Sequence, residues 1–228
     1  MLLCAFSDNY QELFPGRIYE PYVLTDAPAG GFSTSEIFVK DSSISANVNV
    51  RSGMAYPYAG FGLNLMSVGN RPAASFFDFS GFDTITVRAS AGRMTKLTLR
   101  VMTEDVQYSR KGEYLSYRPL LASLPVSSTI GEVKVALSDF KVPEQWLVAH
   151  GLDHDDGFTY WDRAVLFEVS NGEGALRGIP DEFEIRSISM YGENRGFKNA
   201  MYAVLAFLIL AFGAVIVVSG RKTRRGDA

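Results

Sequence analysis

Tyrosine, arginine and carboxylate side chains are concentrated in one stretch, Arg100–Arg118, whose sequence is RVMTEDVQYSRKGEYLSYR. Binding a sugar requires aromatic faces against the apolar side of the ring and fixed polar groups for its hydroxyls. The stretch supplies both, and a neighbouring strand and a later aromatic loop are expected to add to the same face. The predicted ligand-binding residues are Asn64, Arg100, Tyr108, Tyr114, Tyr117, Arg118, Tyr160 and Trp161. The alternative, that these tyrosines pack a long hairpin while the charges solvate it, stays open.

Residues of the types that bind metal ions occur at two places. His150 and the acidic run that ends at Asp156 hold imidazole and carboxylate groups, which suit zinc or manganese. Adjacent donors in one loop rarely fold back into a clean coordination geometry, so a solvated acidic loop is the favoured interpretation. Asp26 precedes a turn rich in glycine and proline, where a carboxylate and backbone carbonyls would suit calcium. An ordinary turn aspartate is favoured there, with a structural calcium as the alternative.

Patterns typical of catalysis are missing from the sequence. The two histidines lie four residues apart in one loop, no Gly-x-Ser-x-Gly elbow occurs, and the single cysteine, Cys4, lies near the start of the chain. Carboxylate pairs such as Glu104-Asp105 cannot be placed across a substrate from sequence alone. We therefore expect a binding protein and not an enzyme.

Alternation of apolar and polar residues predicts β-strands along most of the chain. The predicted strands are residues 36–51, a hairpin with its turn at Lys40–Ser42, then 58–66, 83–89, 96–103, 132–137, 163–170 and 182–191, with two short extended segments in 8–24. Before the C-terminal region, the best helical pattern is Pro143–His150. Short strands separated by Gly, Ser and Asp turns predict an all-β antiparallel sandwich.

The C-terminal region contains twenty consecutive residues without a charge, Ala200–Ser219. A helix of this length would span roughly 30 Å, the thickness of the hydrocarbon core of a bilayer. Four basic residues follow within Arg221–Arg225, and the positive-inside bias then places the C-terminus in the cytoplasm. The sequence therefore predicts a single-pass protein of the cytoplasmic (inner) membrane with its N-terminal domain outside.

The predicted organisation has a remnant of a signal segment at 1–7, an exported sandwich domain at 8–192, a juxtamembrane linker at 193–199, a transmembrane helix at 200–220 and a basic cytoplasmic tail at 221–228. The formal net charge is −3, and because the tail carries +3, residues 1–199 carry −6. Such an acidic domain is a poor partner for nucleic acid. The expected partners are a carbohydrate or similar polar ligand and a membrane protein. The alternative function is a protein-interaction subunit of a membrane complex, or part of a split sensor, with no small-ligand site.

Several turn and strand motifs occur in an order that resembles two known families. They are Asp26 with Gly30-Gly31-Phe32-Ser33, Tyr58-Ala59-Gly60-Phe61, Asp78-Phe79-Ser80-Gly81-Phe82-Asp83-Thr84-Ile85, Leu137-Ser138-Asp139-Phe140 and Phe183-Glu184-Ile185. In these residues the chain resembles the complex I intermediate-associated protein family and the family 11 carbohydrate-binding modules. The resemblance covers about residues 18–192. It implies a galactose-binding-like β-sandwich (jelly roll), with ligand side chains on a concave face and often a structural calcium.

Overall fold

The computed structural model describes residues 9–15, 19–68, 71–72, 75–153, 156–193, 199–210 and 212. The strands of the described residues are β1 (Asn9–Phe14), β2 (Tyr19–Thr25), β3 (Thr34–Lys40), β4 (Ser43–Asn49), β5 (Ala59–Val68), β6 (Arg71–Pro72), β7 (Thr84–Ala91), β8 (Lys96–Thr103), β9 (Arg118–Pro125), β10 (Gly131–Ala136), β11 (Ala164–Asn171) and β12 (Asp181–Gly192). A short helix, α1 (Glu144–Ala149), lies between β10 and β11. Every strand predicted from the alternation is present, as are the helix and the hairpin turn.

The strands form two sheets that pack face to face. Sheet I has the order β10-β7-β12-β4-β3, with β1 paired to β12, and sheet II has the order β2-β5-β11-β8-β9, with β6 paired to β5. Neighbouring strands along both main paths run antiparallel. The predicted antiparallel sandwich is therefore confirmed.

Alternate residues of the facing strands form the core between the sheets. Sheet II contributes Phe61, Leu63, Leu65, Leu97, Leu99, Val101, Phe167 and Val169, and sheet I contributes Ile44, Ala46, Ile85, Val87, Phe183, Ile185 and Ile188; all of these side chains are at most 1% exposed. Burying a side chain of this size stabilises the fold by about 1.5–3 kcal/mol. Because side chains alternate across a strand, the residues between them point to the outer face of each sheet.

Strand β9 (Arg118–Pro125) and the two-residue strand β6 were not predicted from the sequence. In β9 the reason is the presence of two prolines. Its alternation is regular, since Leu120, Ala122 and Leu124 are buried. Pro119 and Pro125 hide this pattern, because proline normally argues against a strand. Strand β9 lies at an edge of sheet II and, among the described strands, pairs with β8 alone. Proline is tolerated there because its missing N–H can face away from the neighbouring strand.

The sandwich and the C-terminal region fall into separate compact units. Tyr10–Gly192 forms one unit, and Glu193–Ala228 belongs with the N-terminal residues in the other. Within the predicted span 200–220, residues 200–210 and 212 are helical, and apolar side chains there such as Phe207 and Leu210 are exposed. In the described part of the chain no helix reaches the length and apolar character that crossing a membrane requires. The rest of the span, the predicted signal remnant 1–7 and the tail lie outside the described residues.

Candidate functional site

A single row of paired residues crosses all five main strands of sheet II. Tyr22 of β2 pairs with Gly62 of β5, Gly62 with Glu168 of β11, Glu168 with Arg100 of β8, and Arg100 with Leu121 of β9. Their immediate neighbours on the strands, such as those in β5, β8 and β11, fill the core. The row therefore lies on the outer face of the sheet.

Glu168 is the centre of a buried hydrogen-bond network in this row. Its side chain is charged but has no exposed area, and the residues on either side of it in β11 are apolar. Tyr22 donates its hydroxyl to Oε1 at 2.6 Å, Tyr114 lies 2.9 Å from both carboxylate oxygens, and Arg100 donates Nη1 to Oε2 at 3.2 Å. Arg100 Nη1 also donates to the Tyr114 hydroxyl oxygen at 3.0 Å. A buried carboxylate is tolerated here because charged and neutral donors surround it.

Gly62 makes room for the Tyr22 side chain. A Cβ at this position would overlap the Tyr22 ring and hydroxyl, so only a residue without a side chain lets the ring lie across β5. This close approach brings the phenol from the edge strand to Glu168 in the centre of the sheet. The glycine is required by packing against Tyr22 and not by an unusual backbone angle.

Burial and charge keep the phenols of the network neutral. Burial raises the pKa of Tyr22 above its ordinary value, and the Glu168 carboxylate beside it raises it further. The same two causes, in the same order, raise the pKa of Tyr114. Burial lowers the pKa of Arg100, the Glu168 carboxylate raises it, and the net direction is upward. The network therefore contains one carboxylate, one guanidinium and neutral phenol donors.

A cavity of about 270 Å³ lies above this network on the outer face of sheet II. Arg100 and Tyr58 line it, with the guanidinium 4.4 Å from the centre of the Tyr58 ring. The other polar and aromatic lining residues are Tyr114, Tyr117, Gln145, Trp146 and His150. Such a cavity offers flat aromatic surfaces beside fixed polar groups, as a sugar ring requires.

Helix α1 forms one wall of the cavity and is held in place by stacked rings. The Trp146 and His150 rings are stacked with centres 3.9 Å apart, and Tyr108 meets both of them edge-on. His150 Nδ1 lies 2.8 Å from the Trp146 carbonyl oxygen. The indole nitrogen of Trp146 is buried and has no hydrogen-bond partner among the described residues. These contacts fix the orientation of the Trp146 ring, which lines the cavity.

Arg118 lies behind this wall and not in the cavity. Its guanidinium stacks 4.8 Å from the Trp146 ring centre and 5.5 Å from that of Tyr160. Arg118 Nε donates to Asp105 at 2.8 Å, and Nη1 donates to the carbonyl oxygens of Asp156 and Phe158 at 3.0 and 2.9 Å. The side chain is 3% exposed. Arg118 therefore joins loops together where the sequence predicted a ligand contact.

The remaining predicted ligand-binding residues have different positions. Arg100, Tyr114 and Tyr117 line the cavity, and Tyr108 supports it through the rings of α1. Asn64 lies on the outer face of β5, where its Oδ1 accepts the backbone N–H of Met66 at 3.0 Å. Trp161 packs on Phe79 and Phe140 against the core, and Tyr160 contacts Phe158 and Arg118. Neither of these two aromatic residues lines the cavity.

Asp26 is a structural residue of its turn. It has no exposed area, and its two carboxylate oxygens accept the backbone N–H and the hydroxyl of Ser33 at 2.9 and 2.7 Å. A Cβ at Gly31 would overlap this carboxylate, which explains the second glycine of the predicted motif. Among the described residues, no group of three or more His, Cys, Asp or Glu side chains is arranged to hold a metal ion. Both carboxylate oxygens of Asp26, the predicted calcium ligand, therefore accept hydrogen bonds from Ser33.

The predicted acidic loop is described only in part. His150 stacks on Trp146, Asp153 and Asp156 are exposed, and residues 154–155 lie outside the described part of the chain. Sequence reasoning missed Tyr22, Tyr58, Trp146 and Glu168 as site residues. The one available signal was Glu168, an ionisable residue between Phe167 and Val169 in an otherwise apolar strand.

Comparison with solved structures finds the same fold in carbohydrate-binding modules. The family 11 carbohydrate-binding module of the cellulosomal cellulase Lic26A-Cel5E of Clostridium thermocellum is 11% identical, with a TM-score of 0.52 over 82% of this chain and 95% of that chain. A family 11 module from Clostridium thermocellum in complex with a beta-1,3-1,4-mixed-linked tetrasaccharide is 12% identical, with a TM-score of 0.52 over 82% of this chain and 98% of that chain. At such identities the likeness shows the β-sandwich fold. No family model matches the chain, and no curated protein matches it.

Proposed function

We propose that this chain is a non-catalytic carbohydrate-binding protein that takes one sugar unit into the cavity on the outer face of sheet II. The observation that carries the proposal is the cavity itself, which Tyr58, Tyr114, Tyr117 and Trp146 line together with the Arg100 guanidinium. Its volume of about 270 Å³ suits a single ring with its substituents and not a long strand of polysaccharide. Binding of an oligosaccharide by a module of the same fold supports this choice of ligand.

The polar groups at the cavity favour binding over hydrolysis. Most glycoside hydrolases use two carboxyl groups, one on each side of the scissile bond. No aspartate or glutamate is among the described residues that line the cavity. Glu168 lies beneath it, but this carboxylate is fully buried and already accepts hydrogen bonds from two tyrosines and Arg100. Arg100 can meet ring hydroxyls without providing a proton for bond cleavage.

A sugar titration of the full chain tests the proposal. The protein should be kept in a detergent without a sugar headgroup, because a glycosidic detergent would compete for the cavity. A glycan array selects the ligand, and calorimetry then measures its affinity. We expect saturable binding that falls about five- to thirtyfold in Tyr117→Ala, because loss of a stacking ring removes roughly 1–2 kcal/mol.

Tyr191→Ala is the matched control, since Tyr191 is a partly exposed tyrosine of sheet I, far from the cavity in the fold. It should leave the affinity unchanged. Absence of any saturable glycan, or equal loss of binding in both variants, would contradict the proposal.

We also propose that residues 200–220 anchor the sandwich to the cytoplasmic membrane with the domain outside. The uncharged run and the basic residues after it support this arrangement. The full chain should remain in the membrane fraction after carbonate extraction, and added protease should reach the sandwich only from the outer side. Release of the full chain by carbonate would refute the anchor, and this result would leave the sugar titration unaffected.

A further inference from the structure

Strand β3 is an edge of sheet I that contains no proline and no register shift. Among the described strands it pairs only with β4, in an uninterrupted register from Thr34 to Lys40. The edges of sheet II are protected in two different ways: β2 carries Pro21 and a register shift beside it, and β9 carries two prolines and a bridge to Lys141. Prolines and irregularities of this kind prevent pairing with another chain. Strand β3 has neither.

Large apolar side chains are exposed along this edge. Phe38 pairs with Ser45 on the outer face of the sheet and is 44% exposed. Val39 pairs with Ile44 on the core face, yet it is 49% exposed because it lies beside the open edge. Extending the sheet by one more strand would cover both residues.

The charges of β3 are arranged to complement those of a second copy. Glu36 and Lys40 lie on the outer face, two positions before and two positions after Phe38. In an antiparallel pair related by a two-fold axis at Phe38, Glu36 lies opposite Lys40 of the partner subunit, and Lys40 lies opposite Glu36 of the partner subunit. The two phenylalanines then face each other across the axis. Directly opposed side chains in such a ladder are about 4.5–5.5 Å apart at Cβ.

We propose that β3 of two copies of this chain pair in this register, which joins the two copies of sheet I into one continuous sheet. Closed two-fold pairing is the most common form of homo-oligomer. Moving the axis to Glu36 or to Lys40 would place like charges opposite each other, and moving it to Ile37 would pair Glu36 with phenylalanine. Only the axis at Phe38 buries the exposed rings and joins opposite charges at once.

A single strand pair is a small interface. Stable complexes bury roughly 1,200–2,000 Å², and a seven-residue ladder contributes less than this. The dimer is therefore reversible and concentration-dependent. Covalent trapping is a suitable measurement, because it detects a weak pair and reports its register.

Cysteine cross-linking of the full chain tests the register. In a Cys4→Ser background, Phe38→Cys places two thiols opposite each other at the axis, at a separation compatible with a disulfide. Val39→Cys is the matched control, with similar exposure in the same strand but with Ile37 of the partner subunit opposite it. Under mild oxidation we expect Phe38→Cys to form covalent dimer at least tenfold faster than Val39→Cys. Equal rates, or a faster Val39→Cys, would overturn the proposal.

Charge reversal tests the two ion pairs in the Phe38→Cys chain. Glu36→Lys alone and Lys40→Glu alone each place like charges opposite each other, so each should slow cross-linking several-fold. Mixing the two variants restores both attractions, and heterodimers should form at the parent rate. Because both side chains are exposed, unchanged circular dichroism is expected in each variant. A cross-linking rate that is the same in the parent and in the charge-reversed variants would refute the pairing. Neither test involves the sugar cavity, so the two proposals can fail independently.

Discussion

Arg100 and Arg118 lie on neighbouring strands of sheet II, and each forms an ion pair with a buried carboxylate. Arg118 and Asp105 are 3% and 1% exposed, and the guanidinium also donates to two loop carbonyls. Arg100 is 13% exposed beside a fully buried Glu168, and in the described part of the chain its buried Nε has no hydrogen-bond partner. The first pair is closed on every side, whereas the second borders the cavity.

This difference separates a structural ion pair from one that is available to a ligand. Around Arg118 every partner belongs to the protein, including the Trp146 ring on which it stacks, so its contribution is to stability. Glu168 forms an ion pair with Arg100 and also accepts hydrogen bonds from neutral phenols, and the Arg100 side chain lines the cavity, where a ligand can reach it. Residue type and burial alone do not distinguish the two; the set of partners does.

The largest expected effect is that of Arg118→Met. The substitution keeps a long apolar side chain but leaves the buried Asp105 carboxylate without its cation, and breaking a buried pair in this way costs about 3–5 kcal/mol. Urea denaturation should show this loss in the free energy of unfolding. The double variant with Asp105→Asn should recover part of it, because no charge is then left unpaired.

Arg100→Met should have a smaller effect on stability and a larger one on binding. Glu168 keeps the hydrogen bonds from Tyr22 and Tyr114, so we expect a loss of about 2 kcal/mol in the free energy of unfolding. Sugar affinity should fall at least tenfold, measured by calorimetry on the folded variant. If Arg100→Met proved as destabilising as Arg118→Met while the sugar affinity was retained, the distinction between the two arginines would be wrong.

Gly62→Ala tests whether the network depends on the position of Tyr22. The added Cβ pushes the ring away from Glu168, which removes one hydrogen bond and disturbs the packing on β5. We expect a loss of about 1–2 kcal/mol in the free energy of unfolding. Combining it with Tyr22→Ala, which removes the overlapping ring, should add less than the sum of the two single losses. Strict additivity would show that Tyr22 and Gly62 act independently.

Local alternation was sufficient to predict most of the strands. The predicted strands 58–66 and 96–103 match β5 and β8, because the period of two is a property of neighbouring residues. The sequence also predicted α1 from a short helical pattern. The strand β9 was missed because its prolines mask an otherwise regular pattern.

The partners of the site could not be predicted, because register decides them. Tyr22 and Glu168 are 146 residues apart in the chain, and their hydrogen bond exists because β5 brings β2 and β11 into line. For Arg118 the sequence predicted a ligand contact, because this residue lies in a tyrosine-rich stretch. Its actual partners are loop carbonyls and Asp105, which composition cannot reveal.

At neutral pH the smallest expected effect comes from the buried phenols, which also make the free energy of unfolding depend on pH. The pKa values of Tyr22 and Tyr114 are raised in the folded protein by burial and then by Glu168, whereas the unfolded chain ionises its tyrosines near pH 10. Above about pH 10 the unfolded state therefore binds fewer protons, and stability that is fully present at lower pH declines as the pH rises. Each such tyrosine contributes a slope of up to about 1.4 kcal/mol per pH unit.

Tyr114→Phe should reduce this slope by one tyrosine and also lower the free energy of unfolding at neutral pH by about 1 kcal/mol, since the hydroxyl between Arg100 and Glu168 is lost. Urea denaturation between about pH 8 and pH 11 measures both quantities. Tyr56→Phe, at a 68% exposed tyrosine, is the matched control and should change neither. An unchanged slope in Tyr114→Phe would mean that this phenol ionises as freely in the folded state as in the unfolded chain. The network beside the cavity would then be open to solvent, and its contrast with the closed Arg118 pair would be stronger than the burial of Glu168 indicates.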